Sequence, residues 1–116
     1  MSVYFKVNED GCLDGISYAG CITIPDSVKS IGYRALADHG KIVSITIPDS
    51  VTSIGERAFA GCSSLERVTI GNGVTSIGRS AFFRCLSLKR IRVPKHFDAH
   101  DAAQWGLPDT CEIIWY

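Results

Sequence analysis

The chain repeats itself every 23 residues, and this spacing restricts its possible folds more than any other feature. Four copies are in register: Ile22-Thr23-Ile24-Pro25, Ile45-Thr46-Ile47-Pro48, Val68-Thr69-Ile70-Gly71 and the partial copy Ile91-Arg92-Val93-Pro94. The same spacing aligns further columns: Val28, Val51 and Val74; Ile31, Ile54 and Ile77; Gly32, Gly55 and Gly78; Leu36, Phe59 and Phe82. A unit this short cannot bury its own apolar face, so successive units must stack. The repeat therefore predicts a solenoid.

Each part of the unit has its own structural preference. Val68 and the outward Thr69 alternate in the way that a half-buried strand requires. Residues 48–51, Pro-Asp-Ser-Val, predict a turn in which the Asp and Ser side chains bond to nearby backbone groups. Gly55 is expected to allow a positive φ or a tight corner, and residues 56–61 are expected to supply about one helical turn.

These preferences predict an α/β fold: a short right-handed solenoid of parallel strands, one per 23-residue coil, with short extended and one-turn helical segments. Residues 1–20 are expected to form an N-terminal β-hairpin cap, from strand-like runs beginning at Val3 and Cys12. Residues 21–95 carry three repeats and a partial fourth. Residues 96–116 are expected to form a second cap, with a short helix N-capped by Asp98 and a final strand.

The unit resembles the leucine-rich repeats of the BspA-like family, whose pattern is approximately L-x-x-I-x-I-P-x-x-V-x-x-I-G-x-x-A-F-x-x-C. Residues 45–62 follow this pattern most closely, and the resemblance extends from Cys21 to Pro94. The first repeat departs from it with Leu36 and His39, and the third has Gly-Asn-Gly at residues 71–73. The resemblance implies a leucine-rich-repeat solenoid and an adhesin-like, cell-surface protein that binds other proteins.

Composition gives few indications of cellular location or partner. The 12 basic and 12 acidic residues balance, so the chain as a whole is not biased toward nucleic acid or an anionic membrane. We find no apolar run of the roughly 20 residues that a membrane span requires, and no signal-peptide pattern at the amino terminus. Five cysteines, an odd number, favour a reducing compartment. The sequence as it stands predicts a cytoplasmic protein, whereas the family resemblance implies the cell surface or secretion.

The cysteine and histidine residues are the candidates for a chemical site. Cys62 and Cys85 occupy one repeat position and are expected to stack, either as a disulfide or, as we expect, as reduced core residues. His96 and His100 are four residues apart, a spacing that suits a metal on one helix face. Asp98 as N-cap leaves His96 outside the helix, so we expect no metal. His39 is expected to be a partly buried substitute for cysteine. We find no set of acid, base and nucleophile, and therefore predict neither enzymatic activity nor a cofactor.

Charge is distributed unevenly along the chain. Residues 67–95 contain seven basic and no acidic side chains, whereas the first 60 residues contain five basic and seven acidic ones. The outward strand positions change from threonine to arginine and are the candidate partner-binding residues: Thr23, Thr46, Arg67, Thr69, Arg90 and Arg92. Such a stripe favours an acidic protein partner, although it is also typical of a solvated surface. This face lacks the interleaved aromatic residues that single-stranded nucleic acid would need.

The sequence therefore predicts a non-enzymatic protein-binding module that uses the strand face of the solenoid. About five strands, roughly 4.8 Å apart, give a face only about 20 Å across. A face of this size favours weak binding by a monomer, or an oligomer in which avidity compensates. The alternative is a structural protein that self-assembles into a homo-oligomer through the same surface.

Overall fold

The computed structural model describes residues 5–16 and 20–116. These residues form β1 (Phe5–Val7), β2 (Cys12–Ile16), β3 (Gly20–Thr23), β4 (Ser30–Ile31), β5 (Ile42–Ile47), β6 (Ser53–Ile54), β7 (Arg67–Ile70), β8 (Ser76–Ile77), β9 (Arg90–Val93), α1 (Ala99–Ala102) and β10 (Glu112–Trp115). Val3 and Tyr4, which begin the first strand that the sequence predicts, lie outside the described residues.

The strands form two five-stranded sheets. One sheet has the order β10-β9-β7-β5-β3 and is parallel throughout. The other has the order β1-β2-β4-β6-β8, and only its β1–β2 pair is antiparallel. We call these the long sheet and the short sheet. The chain alternates between them, so the parallel-strand solenoid that the repeat predicts is confirmed.

Register in the long sheet follows the sequence repeat. Ile45 pairs with Val68 and Thr46 with Thr69, so residues one repeat apart are neighbours across the ladder. The inward positions form two columns in which every side chain is at most 4% exposed: Ile22, Ile45, Val68 and Ile91, and Ile24, Ile47, Ile70 and Val93. Burial of an aliphatic side chain contributes about 1.5–3 kcal/mol. Each coil obtains this stabilisation only when its neighbours are present.

Residues 56–61 do not form the expected helical turn. They form consecutive tight turns, in which alternate N–H groups donate to a carbonyl three residues earlier, as from Ala58 to Gly55 at 3.2 Å. The N–H groups between them donate to the next coil, as from Phe59 to Ala81 at 2.8 Å. A helix would direct all of these groups along its own axis, and the adjacent coils would lose their hydrogen bonds.

Left-handed backbone conformations produce this alternation. One column of equivalent residues has positive φ at Arg34 (53°), Arg57 (56°) and Ser80 (58°). A second column has positive φ at Asp38 (62°), Gly61 (76°) and Arg84 (61°). Only one of these six residues is glycine, the residue that adopts this region without steric cost. The turns are therefore maintained by cross-coil hydrogen bonding against the local preference of five side chains.

Gly55 is required for close packing between coils rather than for its own φ. A Cβ atom at this position would lie 2.7 Å from the Tyr33 nitrogen and 2.8 Å from the Gly32 carbonyl carbon. Both are backbone atoms and cannot rotate away. The left-handed residue of this corner is Arg57, two positions later.

The Pro-Asp-Ser turns use their polar side chains between coils rather than within their own turn. Ser50 donates its hydroxyl to the Val28 carbonyl at 2.9 Å, and Asp49 accepts from the Asn72 N–H at 2.7 Å. The sequence predicts bonds to nearby backbone groups, whereas Asp49 and Ser50 bond to the backbone of the adjacent coils. These bonds add polar columns to the stack.

Aromatic side chains continue the apolar columns through the interior. Phe59 and Phe82 stack with ring centroids 5.3 Å apart and an interplanar angle of 2°. Trp105 is 2% exposed and meets Phe97 edge-on at 5.4 Å. Trp105 also accepts a backbone hydrogen bond from Phe82 at 2.9 Å. The segment after the last repeat therefore follows the preceding coil and covers its apolar end.

Each end of the solenoid contributes a strand to a sheet. Near the amino terminus, β2 pairs with β4 in parallel, so the hairpin extends the short sheet. Near the carboxyl terminus, Asp98 caps α1 in a reciprocal capping box with Asp101, and β10 extends the long sheet. The helix ends at Ala102, and the chain then bonds to the third coil. The division into residues 1–20, 21–95 and 96–116 stays a prediction.

We expect Gly55→Ala to lower the free energy of unfolding by about 2–3 kcal/mol, since its Cβ would clash with backbone atoms. Gly40→Ala is the matched control, because only Ser63 Oγ lies near its Cβ, at 3.7 Å. The control should be neutral or stabilise by about 0.4–1 kcal/mol. Urea denaturation of both variants measures the difference. Equal stabilities would show that the coils do not approach each other this closely.

We expect Ser80→Gly to stabilise the protein by about 0.5–1 kcal/mol, because glycine adopts φ near 58° without steric cost. Ser76→Gly, in the extended β8, should instead destabilise by about 0.5–1 kcal/mol through unfolded-chain entropy. Thermal unfolding of the two variants compares the signs directly. A loss of stability in both would mean that residue 80 is not left-handed.

Candidate functional site

The outer surface of the long sheet is the candidate site, and we call it the strand face. Two outward columns form it: Cys21, Ser44, Arg67, Arg90 and Glu112; and Thr23, Thr46, Thr69, Arg92 and Ile114. Side chains alternate along each strand, so the residues between these columns are the buried ones. All six candidate residues from the sequence lie on this face.

The strand face changes character from one end to the other. In the column that begins at Thr23, Thr23 and Thr46 are exposed and Thr69 is half-buried. Their hydroxyl groups can both donate and accept hydrogen bonds. Arg92 continues this column and is exposed. In the other outward column, the one that contains Cys21 and Ser44, Arg67 pairs directly with Arg90 across the ladder. The structure therefore brings the predicted arginines together at the carboxyl-terminal end of the face.

Two acidic side chains outside the predicted set of contact residues partly neutralise Arg67 and Arg90. Glu66 Oε1 lies 3.7 Å from Arg67 Nη1 and 3.5 Å from Lys89 Nζ. Glu112 Oε1 lies 3.9 Å from Arg90 Nε. These exposed pairs are weak, at about 0–1 kcal/mol each, and a partner can replace them. Glu112 could have been found from the sequence by extending the repeat alignment into the final strand.

Arg92 has an aromatic neighbour instead of a carboxylate. Its guanidinium carbon lies 5.1 Å from the centroid of the Tyr116 ring, within cation–π range. The Tyr116 hydroxyl donates to the Ile70 carbonyl, and burial raises the pKa of this tyrosine. The ring is thereby oriented beneath the arginine. Tyr116 follows the last strand, outside the repeat, so the repeat pattern does not indicate this contact.

The two stacked cysteines belong to the interior and not to the strand face. Cys62 and Cys85 are fully buried free thiols. Each Sγ donates to a carbonyl of the preceding coil, Cys62 to Leu36 at 3.1 Å and Cys85 to Phe59 at 3.0 Å. Interaction with Cys62, together with burial, raises the pKa of the Cys85 thiol. The same interaction lowers the pKa of Cys62, so it is burial that keeps both thiols of this core column from reagents.

His96 and His39 also contact the rest of the fold. His96 Nε2 lies 2.8 Å from the Val74 carbonyl oxygen, and its ring packs on Phe97 with centroids 4.6 Å apart. His39 is partly buried, as expected, and burial lowers its pKa. A backbone hydrogen bond from Asp101 lowers the pKa of Asp98, consistent with its role as N-cap.

A parallel sheet of in-register 23-residue coils with a polar outer face defines the class of leucine-rich-repeat solenoids. The family whose model matches the chain is described as a BspA type leucine rich repeat region of six copies, and the match covers residues 9–103. This is well over half of the 116 residues. The chain therefore belongs to the BspA-type leucine-rich-repeat family, and the resemblance read from residues 45–62 is confirmed.

Solved structures agree with this assignment. A leucine-rich repeat protein from Bacteroides capillosus is 30% identical with a TM-score of 0.73, and the match covers 94% of this chain and 91% of that one. A leucine rich cell surface protein from Faecalibacterium prausnitzii is 25% identical with a TM-score of 0.55; the match covers 97% of this chain and 38% of that one. A T. pallidum leucine-rich repeat protein shares the fold at 24% identity and a TM-score of 0.68, with 97% and 61% covered. No curated protein matches the chain.

Leucine-rich-repeat proteins are typically interaction modules and are typically not enzymes. Within residues 5–16 and 20–116, no helix has the length and apolar character needed to cross a bilayer.

We expect alkylation of the native protein to modify Cys21, which is exposed, long before Cys62 or Cys85. Burial excludes the reagent from both core thiols, and the raised pKa of Cys85 also suppresses its thiolate. Mass spectrometry after timed iodoacetamide treatment measures the order of modification. Denatured protein is the control, in which all three should react at similar rates. Rapid native modification of Cys62 would contradict a closed core.

Proposed function

We propose that this protein is a protein-binding module whose contact surface is the strand face. The observation that supports the proposal is the pair of outward columns, in which polar side chains stand on a regular parallel sheet that buries its other surface. Thr23, Thr46, Arg67, Thr69, Arg90 and Arg92 are the proposed contact residues. The stacked interior holds their backbones at fixed spacing, which reduces the entropy that binding must overcome.

Charge favours an acidic partner at the arginine-rich end. Arg67, Arg90 and Arg92 all lie on the strand face. The two outward columns contain a single acidic residue, Glu112. Their guanidinium groups are suited to bidentate contacts with carboxylates. The threonines at the other end supply uncharged hydrogen-bonding groups. The partner would therefore be oriented, with its acidic side toward β9 and β10.

The size of the face limits its affinity. Five strands about 4.8 Å apart give a width of about 20 Å, which is small against the roughly 800 Å² that each partner buries in a standard interface. We propose weak binding by a single copy, strengthened by avidity where several copies act together. Self-association would be one source of such avidity.

An adhesin-like role outside the cell is part of this proposal. One structural relative, from F. prausnitzii, is described as a cell surface protein, although the chain spans only 38% of that relative. Detection of the protein in culture medium or on intact cells would support this location over the cytoplasmic one that the sequence predicts.

The test of the strand face is a triple variant, Arg67→Gln, Arg90→Gln and Arg92→Gln. We expect immobilised wild-type protein to capture one or more specific proteins from lysate or medium of the native host, and the triple variant to lose them. Stability should fall by no more than about 2 kcal/mol, since only exposed ion pairs and one cation–π contact are lost.

The matched control removes three exposed positive charges outside the strand face, by Lys29→Gln, Lys41→Gln and Arg79→Gln. Capture should be retained by this control. Equal capture by wild type and the strand-face variant would contradict the proposal, as would equal loss in both variants, since net charge alone would then account for binding.

A further inference from the structure

A concave surface lies on the turns, separate from the strand face. It encloses about 220 Å³ and is lined by Arg34, Arg57, Arg84, Asp38, Phe83 and the small residues 60–61. We call it the turn groove. It crosses three successive coils, and it shares no residue with the two outward columns of the strand face.

The turn groove carries a surplus of positive charge. Asp38 Oδ2 lies 3.6 Å from Arg34 Nη2, and both side chains are well exposed, so the pair is weak and exchangeable. Within the described residues, neither Arg57 nor Arg84 forms an ion pair with a carboxylate. The Arg84 guanidinium carbon lies 5.7 Å from the centroid of the Phe83 ring. Three cations thus face one anion beside an aromatic surface.

The backbone gives an independent indication that these side chains have a role. Five residues other than glycine have positive φ among the described residues, and four of them line the turn groove: Arg34, Asp38, Arg57 and Arg84. Glycine would adopt this conformation at lower cost, and Gly61 does so at one equivalent position. Side chains held in unfavourable backbone conformations concentrate at functional sites. The turns impose the left-handed conformation at these positions, and the chain nevertheless carries arginine rather than glycine at three of those that line the groove.

Phe83 supplies an apolar contact in the same place. Its side chain is 47% exposed, whereas Ala60, the equivalent residue one coil earlier, is 7% exposed. An exposed aromatic ring next to unpaired arginines suits a ligand that has both carboxylate and apolar groups. A free inorganic anion would use the arginines and leave the ring without a contact.

We propose that the turn groove binds an acidic, extended peptide segment of a protein partner. The arginines are distributed over two coil spacings, about 10 Å along the solenoid axis. An extended peptide advances about 3.3 Å per residue, so carboxylates on alternate residues fall about 7 Å apart and can reach successive arginines. Charge-assisted bonds from guanidinium groups hold the carboxylates, and Phe83 contacts the side-chain methylene groups of the same acidic residues.

The experiment measures fluorescence polarisation of fluorescein-labelled Glu-Leu-Glu-Leu-Glu at low ionic strength. We expect saturable binding that weakens about fivefold or more in Arg57→Gly and is lost in Arg57→Gly/Arg84→Gly. The melting temperature of Arg57→Gly should nevertheless rise by about 2–4 °C, since glycine relieves the positive φ. Arg57→Gln should lose the same affinity without this rise.

Ser80→Gly is the matched control for the backbone. Ser80 has the same left-handed conformation as Arg57 and does not line the turn groove. Its variant should show the rise in melting temperature and keep wild-type affinity. A decrease in affinity equal to that of Arg57→Gly would overturn the proposal.

A second control separates this groove from the proposed function. Arg67→Gln/Arg90→Gln changes the strand face only and should bind the peptide as wild type does. Loss of peptide binding in this variant would assign the peptide to the strand face and overturn the proposal that it binds in the turn groove. The proposal is also overturned if no binding occurs at millimolar protein, if Gln-Leu-Gln-Leu-Gln binds equally, or if sodium sulfate competes as well as unlabelled peptide.

Discussion

The structure depends on the stacking of equivalent side chains from neighbouring coils. A single coil has too few residues to surround its own apolar side chains, so the columns that run through Ile45 and Phe59 are complete only when coils lie above and below. Backbone groups obey the same constraint, because the Phe59 N–H donates to Ala81 in the next coil. Insertion or deletion of one residue would place a polar side chain in a column, which explains why the 23-residue period is strict. Residues that face outward are not subject to this requirement.

That separation between inward and outward positions leaves the outward side chains free of the packing requirement. The inward neighbours of Thr69 and Arg92 are packed in the core. On the strand face, the outward arginines form exposed ion pairs and a cation–π contact. In the turn groove the relation is different, because Arg57 occupies a left-handed conformation that costs stability. The residues proposed to bind are therefore accommodated in two ways: those of the strand face without structural cost, and Arg57 of the turn groove against the local backbone preference.

The sequence predicted the features that depend on apolar periodicity and missed those that depend on the neighbouring coil. Val68 inward and Thr69 outward follow from alternation alone, and the Phe59–Phe82 stack follows from the repeat. Residues 56–61 were expected to be helical because short helices and successive turns space their apolar residues similarly. Only the adjacent coil decides between them, by accepting alternate N–H groups. The pairing of Glu66 with Arg67 likewise depends on side-chain direction, which a repeat pattern does not specify.

We propose that the inward columns stabilise the fold and that the outward columns of the strand face are free to bind. Single alanine substitutions along two adjacent columns test it most directly: Ile45, Val68 and Ile91 inward, and Thr46, Thr69 and Arg92 outward, each measured by urea denaturation. We expect the free energy of unfolding to fall by about 2–5 kcal/mol for the inward isoleucines, slightly less for the valine, and about 0.5 kcal/mol or less for the outward residues. Outward losses as large as the inward ones would contradict it, because the strand face would then be part of the structural frame.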